Sequence, residues 1–222
     1  MRFVLTVFAL WIVGASATAD ELEREVLAPD DGWAAFGSGT TGGSLAADDQ
    51  VYTVTSRAEF IAALNNGVLP PSDTSPANPS NAPKIIRVEG TIDFNVDAGN
   101  QPLACKDYFR PDPTTGQMFS YEAFAAAFDP NGPWGRVNPS GPQERARVAS
   151  AAAQQARVRI RPGSNTTIVG VGKDATLKGI WMDIRGTANV ANSRTNIIVR
   201  NLSFVDTQDC FPQWAPTDGA LG

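Results

Sequence analysis

Two groups of charged side chains are spaced closely enough along the chain to act together in binding or catalysis. Three carboxylates near the carboxyl terminus could form part of a calcium site, which needs about six to eight oxygen ligands: Asp206, Asp209 and Asp218. Five arginines could bind an anionic polymer such as nucleic acid: Arg145, Arg147, Arg157, Arg159 and Arg161. Each group also has an interpretation that involves no ligand.

The ligand-free interpretation is favoured for both groups. Aspartates in turns commonly accept hydrogen bonds from nearby backbone amides. The arginines fit a solvated helix face and outward strand positions that pair with acids, and positions 157, 159 and 161 alternate as they would on one strand face. The net charge is −5 and no aromatic residues alternate with the arginines, so nucleic-acid binding is disfavoured.

The composition limits both the chemistry and the fold. The chain has 222 residues, of which 42 % are apolar, and this is enough for one domain with a sizeable core. It contains no histidine, which excludes Ser–His–Asp and Cys–His catalysis, histidine general bases and imidazole metal ligands. Any reaction must therefore use carboxylates, lysine, arginine, tyrosine, hydroxyl groups or the two thiols.

The first 19 residues have the pattern of a secretory signal peptide. A positive start at Arg2 is followed by an apolar run over residues 3–13 and by small residues that end with Ala17, Thr18 and Ala19. A membrane anchor is the alternative, but the run is shorter than the roughly 20 residues that a span needs. The sequence therefore predicts cleavage after Ala19, an extracellular protein and no membrane partner.

The two cysteines are 105 residues apart, and an oxidising compartment favours a disulfide between Cys105 and Cys210. Spacing alone does not prove pairing, so two unpaired buried thiols are the alternative. A reactive thiol is a weaker hypothesis, because the chain has no histidine to activate either sulfur.

The first half of the chain predicts an arm, a strand, a helix and a longer β segment. The glycine-rich residues 20–50 predict an extended arm that packs over another element. Residues 51–54 predict a strand, and the capping box of Ser56 and Glu59 predicts a helix that ends near residue 66. Residues 84–94 predict two strand pieces broken at Gly90. Two further helices are expected, over residues 121–128 and from Pro142 to about residue 155.

From residue 157 onward the chain consists of short β-rich runs that end at Gly, Asn or Asp. The runs are residues 157–160, 166–169, 175–177, 180–184, 196–199 and 202–204. No helix separates them, which disfavours a doubly wound α/β fold, and they are too short for a sandwich. They predict stacked coils of a parallel β-helix, with Asn165, Asn196 and Asn201 at turns that could form an amide ladder. An irregular all-β domain is the alternative.

The sequence resembles the extracellular pectate lyases of the parallel β-helix kind. The most distinctive match is residues 211–214 (FPQW) with 216–219 (PTDG), and others follow in order along the chain: residues 32–43, 51–54, 85–93, 105–108, 164–172 and 196–204. The resemblance implies an all-β fold, a right-handed, single-stranded parallel β-helix with an N-terminal arm and short flanking helices. It covers the N-terminal part of the family domain, here residues 20–222, so the helix is expected to be truncated.

The resemblance also implies a reaction, a cofactor and a partner. Pectate lyases cleave polygalacturonate by calcium-dependent β-elimination, outside the cell and as monomers. In the family, the calcium ligands and the catalytic arginine follow the segment at which this chain ends, so they are expected beyond Gly222 and no catalytic or metal residue is assigned here. Ala215 stands where the family commonly has Asp, which implies a looser loop. A non-catalytic β-helix module that binds polysaccharide is the alternative function.

Four tryptophans could stack on sugar rings: Trp33, Trp134, Trp181 and Trp214. Burial under loops is the more common role of such residues, and it is the one that we expect.

Overall fold

The structure is a computed structural model, and it describes residues 19–75, 79–129, 137–184 and 193–213. Its helices are α1 (Ala19–Arg24), α2 (Arg57–Leu64), α3 (Tyr121–Ala127) and α4 (Pro142–Val158). Its strands are β1 (Val51–Val54), β2 (Lys84–Asp93), β3 (Arg159–Ile160), β4 (Thr166–Lys178), β5 (Trp181–Met182), β6 (Ile197–Arg200) and β7 (Ser203–Val205).

All of these strands pair in parallel. One sheet has the order β1-β2-β4-β6, with β7 also paired to β4, and the second sheet joins β3 to β5. Residues far apart in the chain are stacked in register, as Lys84 is with Thr166 and Thr166 is with Ile197. This is the pairing expected when each turn of the chain lies on the one before it, and it confirms a parallel β-helix in place of an irregular all-β domain.

The two long strands each run along two faces of this coil. The pairing of β2 with β4 shifts between Glu89 and Thr91, and Gly90 has a φ of 66°, a conformation that glycine adopts without strain. The first face therefore contains β1, β6 and the first parts of β2 and β4. The second face contains the last residues of β2 and β4 together with β7, and the third face contains β3 and β5. The break predicted at Gly90 is thus a corner within one strand.

The core lies inside the coil and continues under α2. Side chains from all three faces meet there, among them Ile86, Ile92, Ile160 and Leu177, each exposed by 1 % or less. Helix α2 begins with the predicted capping box, in which the Glu59 amide donates to Ser56 Oγ and the Ser56 amide donates to Glu59 Oε2. The α2 residue Phe60 packs edge-on against Phe94 at 5.2 Å between ring centroids.

The N-terminal arm crosses the first face of the coil, as predicted. The Gly43 amide donates to Thr167 Oγ1 at 2.8 Å, and a Cβ at residue 43 would lie 1.9 Å from the Lys84 carbonyl oxygen. Only glycine therefore fits at this crossing. Further along the arm, Glu25 pairs with Arg200 of β6 at 2.7 Å.

The predicted amide ladder forms between two of the three asparagines. Asn196 Nδ2 donates to Asn165 Oδ1 at 2.8 Å, and both residues have a φ of 58°. Asn201 also lies at a turn, as predicted, but its side chain does not join this ladder. Its side chain donates instead to the carbonyl oxygens of Gly170 and Gly172, because it follows β6 and lies at the corner between the first two faces.

Residues 95–158 form a large insertion on the side of the coil. Tyr108 and Phe119 of this insertion form an aromatic core with Phe211, which follows β7, and the Cys105–Cys210 disulfide lies beside it, so the predicted pairing is present. Helix α4 has 17 residues, so it is not short and does not stop near residue 155. It includes Arg157, which was wrongly predicted to lie in a strand.

None of the helices in the described part of the chain has the length and apolar character that crossing a bilayer requires. Residues 1–18 lie outside the described residues, so the signal peptide stays a prediction.

Candidate functional site

Two adjoining cavities form a groove where the strands of the second face end. Their volumes are about 430 Å³ and 270 Å³, and both are lined by Gln154 and Val158 of α4 and by Gly179, Thr207 and Gln208. The larger cavity is also lined by Asn95, Pro102 and Leu103 from the loop over residues 95–103. A concave, partly polar site of this size is the usual form of a ligand-binding site.

A row of three charged side chains crosses the larger cavity. Lys178 Nζ lies 3.2 Å from Asp93 Oδ2 and 3.9 Å from Asp206 Oδ2. The row follows from strand register, because Asp93 pairs with Lys178, and Lys178 pairs with Val205, which precedes Asp206. The Lys178 side chain is 41 % exposed, so its ammonium can still reach an anionic ligand in the groove.

The loop that forms one wall of the groove is held by Asn95. Its amide donates to Asp93 Oδ1, and its side chain donates to the Leu103 carbonyl and accepts from the Tyr108 hydroxyl, all at 2.6–2.8 Å. Burial raises the pKa of Tyr108, so the phenol stays protonated as the donor of this bond. The wall is therefore preorganised by hydrogen bonds within the insertion.

The segment that lines the opposite side is held by α4 and the disulfide. Gln154 donates to the Gln208 carbonyl at 2.9 Å and accepts from the Cys210 amide at 3.1 Å. Arg147 donates to the Phe211 carbonyl at 2.8 Å. Together with the Cys105–Cys210 bond, these contacts hold residues 208–211 against the insertion.

The smaller cavity contains an aromatic ring at the far end of the groove. Trp181 begins β5, is 36 % exposed, and lines this cavity with Gln155 and Asp209. The Arg159 guanidinium lies 5.0 Å from the centre of the indole ring, a cation–π contact that follows from the register of β3 with β5.

Each of the five arginines pairs with an acid, as the ligand-free interpretation predicted. Their partners are Asp112 for Arg145, Glu144 for Arg147, Asp73 for Arg157, and Asp183 for both Arg159 and Arg161. The Arg145 side-chain hydrogen bonds hold the pKa of Asp112 well below its usual range. Arg159 in β3 and Arg161, which directly follows β3, share Asp183, whereas Arg157 belongs to α4 and is not on the predicted strand face.

The predicted aspartate group divides between a turn and an ion pair. Asp209 Oδ1 accepts from the Phe211 amide at 2.9 Å, which is the expected turn bond, whereas Asp206 lies near Lys178. Asp218 lies outside the described residues.

These residues do not fit calcium. Within the described ranges no three histidine, cysteine or carboxylate side chains converge on one point. The two carboxylates of the larger cavity, Asp93 and Asp206, already have the Lys178 ammonium near them. Calcium takes about six to eight oxygen ligands, so we derive no step through this metal at these residues.

The expectation that the tryptophans are buried is wrong for the two that are described. Trp33 is 96 % exposed on the arm, and Trp181 lines the groove. Trp134, Trp214 and Ala215 lie outside the described residues.

Asp93 and Lys178 were not predicted as site residues. Both lie at the end of a β run, and aligning the sequences of successive coils would have placed one above the other.

No protein-family model matches the chain. A curated pectate lyase of Bacillus subtilis (strain 168) is 39 % identical over 217 residues, which are 98 % of this chain and 46 % of that protein.

Two solved structures are similar throughout most of the chain. The thermostable pectate lyase PL 47 has a TM-score of 0.76 at 44 % identity, over 91 % of this chain and 44 % of that one. A pectate lyase bound to a hexasaccharide has a TM-score of 0.69 at 39 % identity, over 90 % of this chain and 43 % of that one. The chain therefore spans less than half the length of these relatives.

Proposed function

The chain belongs to the pectate lyase family, and we propose that it forms part of a secreted enzyme that degrades pectin by cleaving polygalacturonate. In this proposal residues 1–19 are the signal peptide. Residues 20–222 are the N-terminal part of a right-handed parallel β-helix that acts as a monomer outside the cell, with no nucleic-acid or membrane partner. The similarity to a structure bound to a hexasaccharide supports a sugar polymer as the ligand.

The observation that carries the proposal is the groove with Lys178 in its larger cavity. A uronate polymer carries a carboxylate on every sugar, and the exposed ammonium of Lys178 can bind one of them. Asp93 and Asp206 lie on either side of this ammonium and orient it. A charge-assisted hydrogen bond of this kind contributes about 1.5–3 kcal/mol. The groove thus gives residues 20–222 a share in substrate binding.

We further propose that catalysis depends on residues beyond Gly222. β-Elimination removes the proton next to the uronate carboxylate and expels the glycosidic oxygen, so it needs a base and a positive group that stabilises the developing charge. Calcium is the cofactor that the family relationship implies. The described residues do not fit it, and the chain spans 46 % of its Bacillus relative. Further coils are therefore proposed to supply both the calcium ligands and the catalytic arginine.

Binding and turnover can be tested separately on residues 20–222. Titration calorimetry with oligogalacturonate should detect binding, and Lys178→Met should weaken it about tenfold, since one charge-assisted contact is lost. Lys173→Met is the matched control, because Lys173 is exposed outside the groove, and it should leave the affinity unchanged. Equal affinity of the wild type and Lys178→Met would contradict the assignment of the groove.

Turnover is followed by the ultraviolet absorbance of the unsaturated uronate product, with and without calcium. We expect none from residues 20–222, and a calcium-dependent rate would show that the catalytic residues lie within this segment. The alternative is a non-catalytic polysaccharide-binding module. A stop codon directly after codon 222 in the gene would favour the module, and further acidic and basic coils in the reading frame would favour the enzyme.

A further inference from the structure

Trp181 is an exposed aromatic ring whose orientation is fixed by the coil beneath it. Its strand β5 pairs with β3, so Arg159 lies directly beside it and places a guanidinium 5.0 Å from the ring centre. Arg159 in turn lies 3.8 Å from Asp183, which is buried. The ring needs little reordering when it meets a flat apolar surface, and such preorganisation favours binding.

The side chains around this ring offer hydrogen-bonding groups without a nearby partner. Within the described residues Gln155 makes no side-chain hydrogen bond, and Gln208 uses its Nε2 on Cys105 Sγ but leaves Oε1 open. Asp209 uses Oδ1 on the Phe211 amide and leaves Oδ2 open. An aromatic face beside amide and carboxylate groups suits a pyranose, which has an apolar C–H face and hydroxyl groups at its rim.

The two ends of the groove differ in whether a cation lines them. The larger cavity is lined by Lys178, which lies between Asp93 and Asp206 and which the proposed function assigns to a uronate carboxylate. Asp209 is the single charged residue among those that line the smaller cavity, and it is negative. Arg159 does not line this cavity, and its guanidinium lies 5.0 Å from the indole centre and 3.8 Å from Asp183. A sugar carboxylate at this end would therefore meet the like charge of Asp209, with no cation among the lining residues.

We propose that the Trp181 end of the groove binds an uncharged pyranose ring, such as a methyl-esterified galacturonate unit, of a polymer whose acidic unit lies at Lys178. This inference rests on the proposed function, because it specifies the substrate of the same groove. Esterification removes the charge that Asp209 repels and keeps the ring that Trp181 contacts. The groove would then prefer partly esterified pectin to the fully acidic polymer.

The test compares two oligogalacturonates of equal length, one fully acidic and one partly methyl-esterified, by titration calorimetry on residues 20–222. Trp181→Ala should weaken binding of the esterified oligomer about five- to tenfold, and that of the acidic oligomer by less than about twofold. Trp181→Phe should restore most of the loss because it keeps a ring. Trp33→Ala is the matched control, since Trp33 is exposed on the arm, and it should change neither affinity.

A second variant tests the charge argument through a gain in affinity, which misfolding cannot imitate. Asp209→Asn keeps the oxygen that accepts from the Phe211 amide but removes the negative charge. It should strengthen binding of the acidic oligomer about two- to fivefold and leave the esterified oligomer nearly unchanged.

The outcomes separate this inference from the proposed function. If the wild type binds both oligomers but Trp181→Ala weakens both equally, or neither, the assignment of an uncharged ring to Trp181 is overturned while the groove stands. If Asp209→Asn does not strengthen binding of the acidic oligomer, the charge argument is overturned, and the assignment of the groove again stands. If the wild type binds neither oligomer, both proposals fall.

Discussion

At the scale of single residues, the most unusual group in the described chain is the ammonium of Lys84. It begins β2, is fully buried, and donates to the carbonyl oxygens of Ser80 and Ala82 at 2.7 Å each. Burial lowers its pKa to about 8, because the charged form loses its hydration. The sequence offers no sign of this, since a lysine at the first position of a strand is usually solvated. The ammonium lies against the loop that precedes β2, and Gly43 of the arm packs on the backbone carbonyl of the same residue.

Lys84 should make the stability of the protein increase with pH. Between about pH 8 and pH 10 the folded chain has released this proton, whereas the unfolded chain, with a pKa near 10.5, still holds it. The unfolded state then binds more protons, so the free energy of unfolding rises with pH, by about 2 kcal/mol over this range. Urea unfolding at pH 7, 8, 9 and 10 measures the rise.

The comparison variant is Lys84→Met, which should remove this increase with pH, whatever its effect on overall stability. Lys173→Met removes an exposed lysine and should keep the increase. The range stops at pH 10 because tyrosines begin to ionise in the unfolded chain there. A wild-type stability that is flat or falling from pH 8 to pH 10 would refute the assignment.

Residue types predicted roles well where the role is local, and poorly where it depends on distant parts of the chain. The pair of Arg147 with Glu144 and the turn bond of Asp209 join residues two or three positions apart, and both were predicted. The exposure of Trp181 and the stacking of Asp93 on Lys178 depend on coil register. Register is not visible in one sequence until the coils are superposed.

At the scale of elements, the residues that mark where a helix begins or a strand bends were better predictors than the residues used to estimate how long a helix is. The capping box placed the start of α2 correctly, and Gly90 marked the corner of β2. Helix α4 was predicted to stop near residue 155 but continues to Val158, because Arg157 gains partners outside the helix. Its guanidinium donates to the Val96 carbonyl and to Asp73. Tertiary contacts of this kind commonly override the local signal.

The ladder residue Asn196 links three elements, and its loss should release the arm. Its Oδ1 accepts from the amides of Thr41 and Gly42, and its Nδ2 donates to Asn165 Oδ1. Asn196→Gly keeps the left-handed backbone but removes these bonds, so we expect a loss of about 1–3 kcal/mol in the free energy of unfolding and faster proteolysis of the arm. Asn196→Ala should cost about 1 kcal/mol more, because alanine disfavours a φ of 58°.

Asn100→Gly is the control for this series. Asn100 also has a positive φ, of 61°, but its side chain is exposed in a loop away from the ladder. Its replacement should change stability by less than about 0.5 kcal/mol. If Asn196→Gly were equally mild, the ladder would not be what holds the arm on the coil.

At the scale of the whole molecule, the parallel β-helix was predicted from the shortness of its strands and the lack of crossover helices. The resemblance of motifs along the chain added the family. What neither supplied was the path of the insertion over residues 95–158, which turns back so that its loop and α4 form the walls of the groove. That path depends on aromatic packing and on the Cys105–Cys210 bond, which join residues 105 positions apart.

The last coil of the described chain should make residues 20–222 self-associate when they are expressed alone. Among the described strands, β6 and β7 are paired to β4 on one side only. Phe204 and Val205 of β7 are 47 % and 40 % exposed. Open parallel edges with apolar side chains recruit further strands. Light scattering after size exclusion should therefore detect oligomers that increase with protein concentration.

Phe204→Lys tests whether the edge is responsible, because an added charge on an edge strand opposes pairing. We expect it to weaken self-association at least about tenfold. Phe36→Lys makes the same substitution at an arm residue that is 78 % exposed and lies in no strand, and it should have little effect. If the two variants act equally, general surface hydrophobicity drives the association. If the wild type stays monomeric at every concentration, the strand edge of the last coil does not drive self-association.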